Sequence, residues 1–227
     1  MTDVQNTVAW LKRTGRKSVR DSMRRYALPA EHAVGIPVGM LKQRAKAVGR
    51  DHDLARALWK TGIYEARLLA AFVGEPARVT PTEMDRWCKD FDSWGICDTV
   101  CFSLWDRTPH AMKKIRQWST RREEFVKRAA FALLASVALH DKKMSDDAFA
   151  KGLSIIERGA SDDRNFVKKG VSWALRLVGR RSRSLHRKSV ELSRRLAAST
   201  DSTERWVGKD ALRDLTRPMV TRRFSER

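Results

Sequence analysis

Lys169, Trp173, Arg176 and Arg180 recur at helical spacing, which sets three cations around one indole on a single helix side. Cations so placed can meet phosphate oxygens. The indole among them is either a ligand-facing ring or a half-buried one with the cations extended over it. Lys127, Lys168 and Lys209 add basic groups of the same kind. Arg128 has Glu124 one turn before it, so it can contact a phosphate or form a structural ion pair. Nearer the N-terminus, Cys97 and Cys101 stand one helical turn apart. With Cys88 they could make part of a metal site, but no compact fourth ligand completes it, and buried structural thiols are the alternative. No metal or cofactor is expected. Asp98 lies between the two thiols with Trp94 one turn before it, an acid and an aromatic ring on the same helix.

These residues occupy marked places in a repeat. A five-residue helical phrase runs from Ile63 to Arg67, Trp94 to Asp98, Glu124 to Arg128, Asn165 to Lys169 and Arg205 to Lys209, and its fifth places are 31, 30, 41 and 40 residues apart. A period of that length without strands between reads as stacked helix pairs, each burying its apolar face on its neighbours. The expected architecture is all-α, a right-handed solenoid of antiparallel helix pairs, with Arg67, Asp98, Arg128, Lys169 and Lys209 lining one concave, largely basic side. Periodicity predicts helices near 3–12, 17–27, 39–48, 51–61, 63–73, 81–91, 94–106, 109–118, 121–140, 145–158, 162–181, 184–198 and 202–215. In the helix over 162–181, Phe166, Gly170, Ala174 and Leu177 are expected to form the apolar side. Thr80-Pro81 with Glu83, and Thr108-Pro109, read as helix starts, as do the Ser-Asp-Asp runs at Ser145 and Ser161. Gly74, Gly159 and Gly179 sit where helices should end. One domain is expected over 1–227: a helix pair over 1–30, a loop from Leu28 to Pro37, repeats over 35–215 and a frayed basic tail over 218–227.

Charge and composition narrow the ligand. The net charge is +20 with 33% charged and 42% hydrophobic residues, enough for a continuous core beneath a basic surface. A polyanion that follows a groove suits such a surface, and double-stranded DNA fits it best. The longest apolar run, Ala129 to Leu139, is interrupted by Ser136 and is far shorter than the ~20 residues of a membrane helix. No basic amphipathic anchor stands out at either end. The start lacks a secretory leader, and three cysteines, an odd number, agree with thiols in a reducing compartment. The expectation is a cytoplasmic monomer with access to DNA and no membrane contact.

Six segments taken in order resemble one known family: Gly35 to Lys46, Ala57 to Lys60, Glu65 to Arg67, Trp94 to Cys101, Phe125-Val-Lys-Arg-Ala-Ala130 and Phe166 to Arg176. The chain is similar to the AlkD-like DNA alkylation repair family from about residue 20 to residue 215. The resemblance implies a HEAT-like repeat fold and excision of cationic N3- and N7-alkylated purines from duplex DNA, without swinging the base into a tight pocket. Such a base already carries positive charge, so the enzyme has mainly to stabilise the sugar oxocarbenium and place a water. In the family pattern a Trp and an Asp four residues later line the lesion, with an Arg and another Trp from the next repeats. Arg128 and the later tryptophan, Trp173, are retained. The earlier pair falls on Cys97 and Cys101. Asp98 is then the nearest remaining acid, and Trp94 either replaces the missing ring or packs the repeat. The resemblance thus implies an alkylpurine glycosylase weakened at Cys101, or a DNA-structure-binding or scaffold protein that keeps the groove without the chemistry. On the first reading, Cys101→Asp should raise base release.

Overall fold

Apolar residues at helical spacing and side chains that start helices produce a chain of helices. The computed structural model describes residues 3–225, and among these there is no strand. The first seven helices are α1 (Asp3–Thr14), α2 (Lys17–Met23), α3 (Val38–Val48), α4 (His52–Lys60), α5 (Tyr64–Val73), α6 (Pro81–Lys89) and α7 (Trp94–Ser103). They are followed by α8 (Ala111–Trp118), α9 (Glu124–His140), α10 (Asp146–Gly159), α11 (Asn165–Val178), α12 (Arg183–Ala197), α13 (Ser202–Leu215) and α14 (Pro218–Ser225).

Local chemistry sets many of the ends. Asp51 accepts from the Leu54 N–H at 2.8 Å, Ser182 from Leu185 at 3.2 Å, and Asp201 from Thr203 and Glu204 at 2.8 Å each, so these side chains satisfy amides that the first turn leaves open. Thr80 does the same for Glu83 at 3.2 Å, with Pro81 in the first turn. Thr108-Pro109 does not open a helix. The Thr108 hydroxyl donates to the Trp105 carbonyl at 2.8 Å, closing a 3-10 turn, and α8 begins at Ala111. The stretch expected to fray after Pro218 is helix α14. Val220 is buried there and the Phe224 ring lies 4.7 Å from that of His186, so apolar side chains one turn apart hold the segment down. Residues 1–2, in the expected N-terminal helix pair, and 226–227, in the expected tail, lie outside the described residues.

The chain forms two compact units, one up to Pro109 and the other from His110. In the first, α3, α5 and α7 lie side by side and α4 packs on α5. Trp59 of α4 stacks on Trp87 of α6 with ring centres 4.1 Å apart, and its N–H reaches Asp90 at 2.8 Å. Buried Glu65, in the first turn of α5, accepts the backbone N–H groups of Val34, Gly35 and Ile36 at 2.9, 2.6 and 3.2 Å, which fastens the loop before α3. These bonds join residues 29 to 31 apart in sequence.

In the second unit α9, α11 and α13 lie side by side and α10 packs on α12. Arg128 reaches the Phe166 carbonyl, Ser172 reaches Asp210 and Arg195 reaches Glu157, each across 38 residues. The longer step has a plain cause. Helices α9 to α13 hold 14 to 17 residues against 9 to 11 in α3 to α7, so each neighbour lies farther along the chain. The uneven spacing of the five-residue phrase is this change in helix length.

Candidate nucleic-acid interface

Helix α11 buries Val167, Gly170, Val171, Ala174, Leu175 and Val178 and turns the opposite side outward. Lys169 is exposed there and Trp173 is half-buried. The apolar side therefore centres on Val167, Val171 and Val178, and not on Phe166 and Leu177. These last two are half-buried and flank Trp173 at helical spacing. Phe166 also meets Phe125 of α9, with ring centres 5.5 Å apart. Among the described residues Trp173 makes no hydrogen bond, and neither Lys169 nor Lys209 has an acidic partner.

The other expected cations differ in how far their charge is already used. Arg180, two residues beyond α11, donates to both oxygens of Asp214 on α13 at 2.6 to 3.1 Å. Asp214 is only 5% exposed, so this pair ties α11 to α13 and is held from water on one side. Arg176 donates to the Ser172 carbonyl at 3.3 Å and lies 4.0 Å from Asp210. Lys168 sits 5.5 Å from the ring centre of Trp206. Lys127 pairs with Asp162 at 2.8 Å, and Arg164 grips the same carboxylate at 2.6 Å. Burial raises the pKa of Asp162, but the hydrogen bonds from Arg164 and Lys127, with their charges, outweigh it and bring it down to about 2. Asp162 thereby joins α9 to the start of α11 and does not lie within that helix. Arg128 is buried, with its guanidinium bonded to the Phe166 carbonyl at 2.5 Å, so it steadies the first turn of α11 from α9. Side-by-side packing of α9, α11 and α13 thus gathers basic residues of this unit on neighbouring helices, and Lys168, Lys169 and Lys209 are among those without an acidic partner in the described residues.

Asp210 and Asp214 were not among the expected site residues. Their signal was present: they lie 38 and 34 residues after Ser172 and Arg180, the step that relates α11 to α13.

In the first unit, α7 carries the remaining candidates. Cys97 and Cys101 are 0% exposed, and Cys88 is 1%. Burial, then a hydrogen bond with Cys97, then the charges of Cys97, Cys88 and Asp98 push the Cys101 thiol up well above its usual value. It is a neutral core side chain. No His, Cys, Asp and Glu cluster that could hold a metal occurs among the described residues. Trp94 donates its indole N–H to the Tyr26 carbonyl at 2.8 Å and so fastens α7 to the turn after α2. Asp98 is half-buried. It stands near the buried Tyr64, whose hydroxyl pKa is raised chiefly by burial and further by Glu65, Asp92 and Asp98. Arg67 lies over the Trp59 ring at 5.2 Å and donates to the Asp90 carbonyl at 3.1 Å.

A family model described as DNA alkylation repair enzyme matches residues 8–215. A solved structure described as "A new family of proteins related to the HEAT-like repeat DNA glycosylases with affinity for branched DNA structures" aligns over 93% of this chain and 95% of that one. The TM-score is 0.78 at 19% sequence identity, which establishes the all-α HEAT-like repeat fold. No curated protein matches at a significant level.

Proposed function

The chain belongs to the DNA alkylation repair enzyme family, and from that premise we propose that it binds DNA through the outward side of α11 and α13 and releases alkylated purines from duplex DNA weakly or not at all. One observation carries the reading. Although Trp94 and the half-buried Asp98 also meet the family's Trp-to-Asp spacing, the resemblance puts its sugar-facing carboxylate at Cys101, a fully buried thiol with a raised pKa. A neutral thiol in the core offers no anion to a developing oxocarbenium, so the largest electrostatic contribution to such a reaction is missing. Binding does not need that group. Lys169 and Lys209 have charge to give to phosphates, and Trp173 with Phe166 and Leu177 provides an apolar patch of the kind that lies against deoxyribose. Arg128 serves this face by holding α11 in place. Arg176, Arg180, Lys127 and Lys168 add field more than direct contact, since each already has a partner.

Residual glycosylase activity is the second reading, and the half-buried Asp98 on α7 supports it. A lesion that carries its own positive charge would then be the only good substrate, with Asp98 supplying the anion. The affinity for branched DNA described for the similar solved structure supports the binding reading instead. Two assays separate them: release of alkylated bases from methylated DNA by the purified protein, and titration with linear and branched duplexes. The expected result is binding, tighter for the branched form, without release above the uncatalysed rate. Robust release that Asp98→Asn abolishes would overturn the proposal.

A further inference from the structure

The first unit carries an open pocket of about 410 Å³ whose wall includes Lys42, Lys46, Arg50, Phe72, Phe102 and Arg107. It lies where the C-terminal ends of α3, α5 and α7 come together. Helix C-termini bear partial negative charge, and two of the cations answer it. Arg50 donates to the carbonyls of Phe72 and Gly74 at 3.1 and 2.5 Å, and Arg107 donates to that of Ser103 at 2.8 Å. Each bond uses a single terminal nitrogen of its guanidinium. Lys42 and Lys46, one turn apart on α3, have no such role, and no acid lines the pocket. With Arg50 and Arg107 answering the helix ends, Lys42 and Lys46 share the concavity without a carboxylate, an arrangement that an anion would relieve.

The rings decide which anion. Lys42 Nζ lies 5.8 Å from the centre of the Phe72 ring, and Phe102 is 37% exposed. Bare phosphate would satisfy the ammonium groups and leave the exposed part of Phe102 in water, while an apolar ligand would leave the charges unmet. A nucleotide answers both, with phosphate for the cations and a flat base for a ring face. The volume falls in the range of small-molecule sites, about 300–1,000 Å³. Bases in a duplex have both faces covered by their neighbours, so only an unpaired base can lie on a phenylalanine.

We infer that this pocket binds an unpaired nucleotide of a single-stranded DNA segment, with the base on Phe102 and the phosphate between Lys42 and Lys46. The inference rests on the chain being a DNA-binding protein, and it adds a second contact in the unit that does not hold the α11–α13 face. To test it, the full-length protein is titrated with a short single strand carrying 2-aminopurine and, in parallel, with blunt duplex. The strand's fluorescence should be quenched on binding. Phe102→Ala, Phe102→Leu and Lys46→Ala should each weaken single-strand binding by about tenfold, the usual order for one base stacked on a ring. Blunt-duplex affinity should not move. Phe102→Leu keeps the apolar contact without the aromatic face, so its loss of affinity together with an unchanged circular dichroism melt excludes a folding defect. Unquenched strand, full affinity in Phe102→Leu, or displacement by inorganic phosphate as readily as by unlabelled strand would each overturn the inference. The duplex arm judges the other reading by itself. Absent duplex binding, with the single strand still bound and still sensitive to Phe102, would remove the α11–α13 proposal and leave this one standing.

Discussion

Cys101 is enclosed on all sides, so an aspartate there would enter apolar surroundings instead of facing a ligand. A carboxyl without partners in such a place is costly, and it either stays protonated or unfolds its surroundings. Cys101→Asp is therefore expected to lower stability by roughly 3 kcal/mol or more and to leave base release unchanged, as measured by thermal melting and by chromatography of released bases. This reverses the expectation drawn from the family pattern alone. Spacing and residue type placed Cys101 on α7 and left a buried structural thiol as one reading of it, which its burial bears out, whereas the family pattern pointed it at the ligand. Trp173 and Lys169 were legible for a local reason. A ring among cations at steps of three and four fits the outward side of a helix whichever neighbours it has. Arg128 was half legible. Its place in the repeat could be read, while its bond to a backbone carbonyl 38 residues away has no sequence signature.

Helix α13 approaches α12 so closely at Gly208 that a Cβ would lie 2.2 Å from the Ala197 nitrogen and 2.6 Å from the Ser193 carbonyl oxygen. These are backbone atoms and cannot rotate away. Gly208→Ala should cost about 2–4 kcal/mol by forcing the two helices apart, whereas Gly39→Ala, with nothing within 4 Å, should be neutral or stabilise α3 by up to about 1 kcal/mol. Chemical denaturation of the two variants against the parent checks both signs. Asp162 makes a pH-dependent tie between α9 and α11. Its folded pKa of about 2 lies below the ~3.9 of an unfolded aspartate, so the stabilisation is complete above that value and is lost as pH falls toward 2. Asp162→Asn should thus melt lower than the parent at neutral pH, and the gap in Tm should close between about pH 4 and about pH 2. Helix order and most helix ends were readable because caps, prolines and glycines act within one turn. The end at Thr108 and the helix after Pro218 were not, since a 3-10 turn and contacts with His186 decide them.

Across the whole molecule the excess of positive charge is large, +20, yet it is unevenly available. Cations already held by acids add little to a salt-dependent affinity, and those without acids should dominate it. Lys169→Ala is expected to reduce the log–log salt slope of duplex affinity by about one, while Arg180→Ala should chiefly lower stability by leaving the buried Asp214 with only the longer 3.7 Å pair to Arg217. Affinity titrations from low to moderate salt, set beside melting curves, distinguish the two effects. All three cysteines of the chain lie before Pro109, and none has more than 1% of its surface exposed. Modification by a thiol reagent therefore requires the first unit to open, and the second unit is silent to it. The labelling rate at low denaturant reads the opening free energy of one half of the chain without a probe being introduced, and slower labelling in the presence of single-stranded DNA would report, from the interior, that the surface above those thiols is occupied.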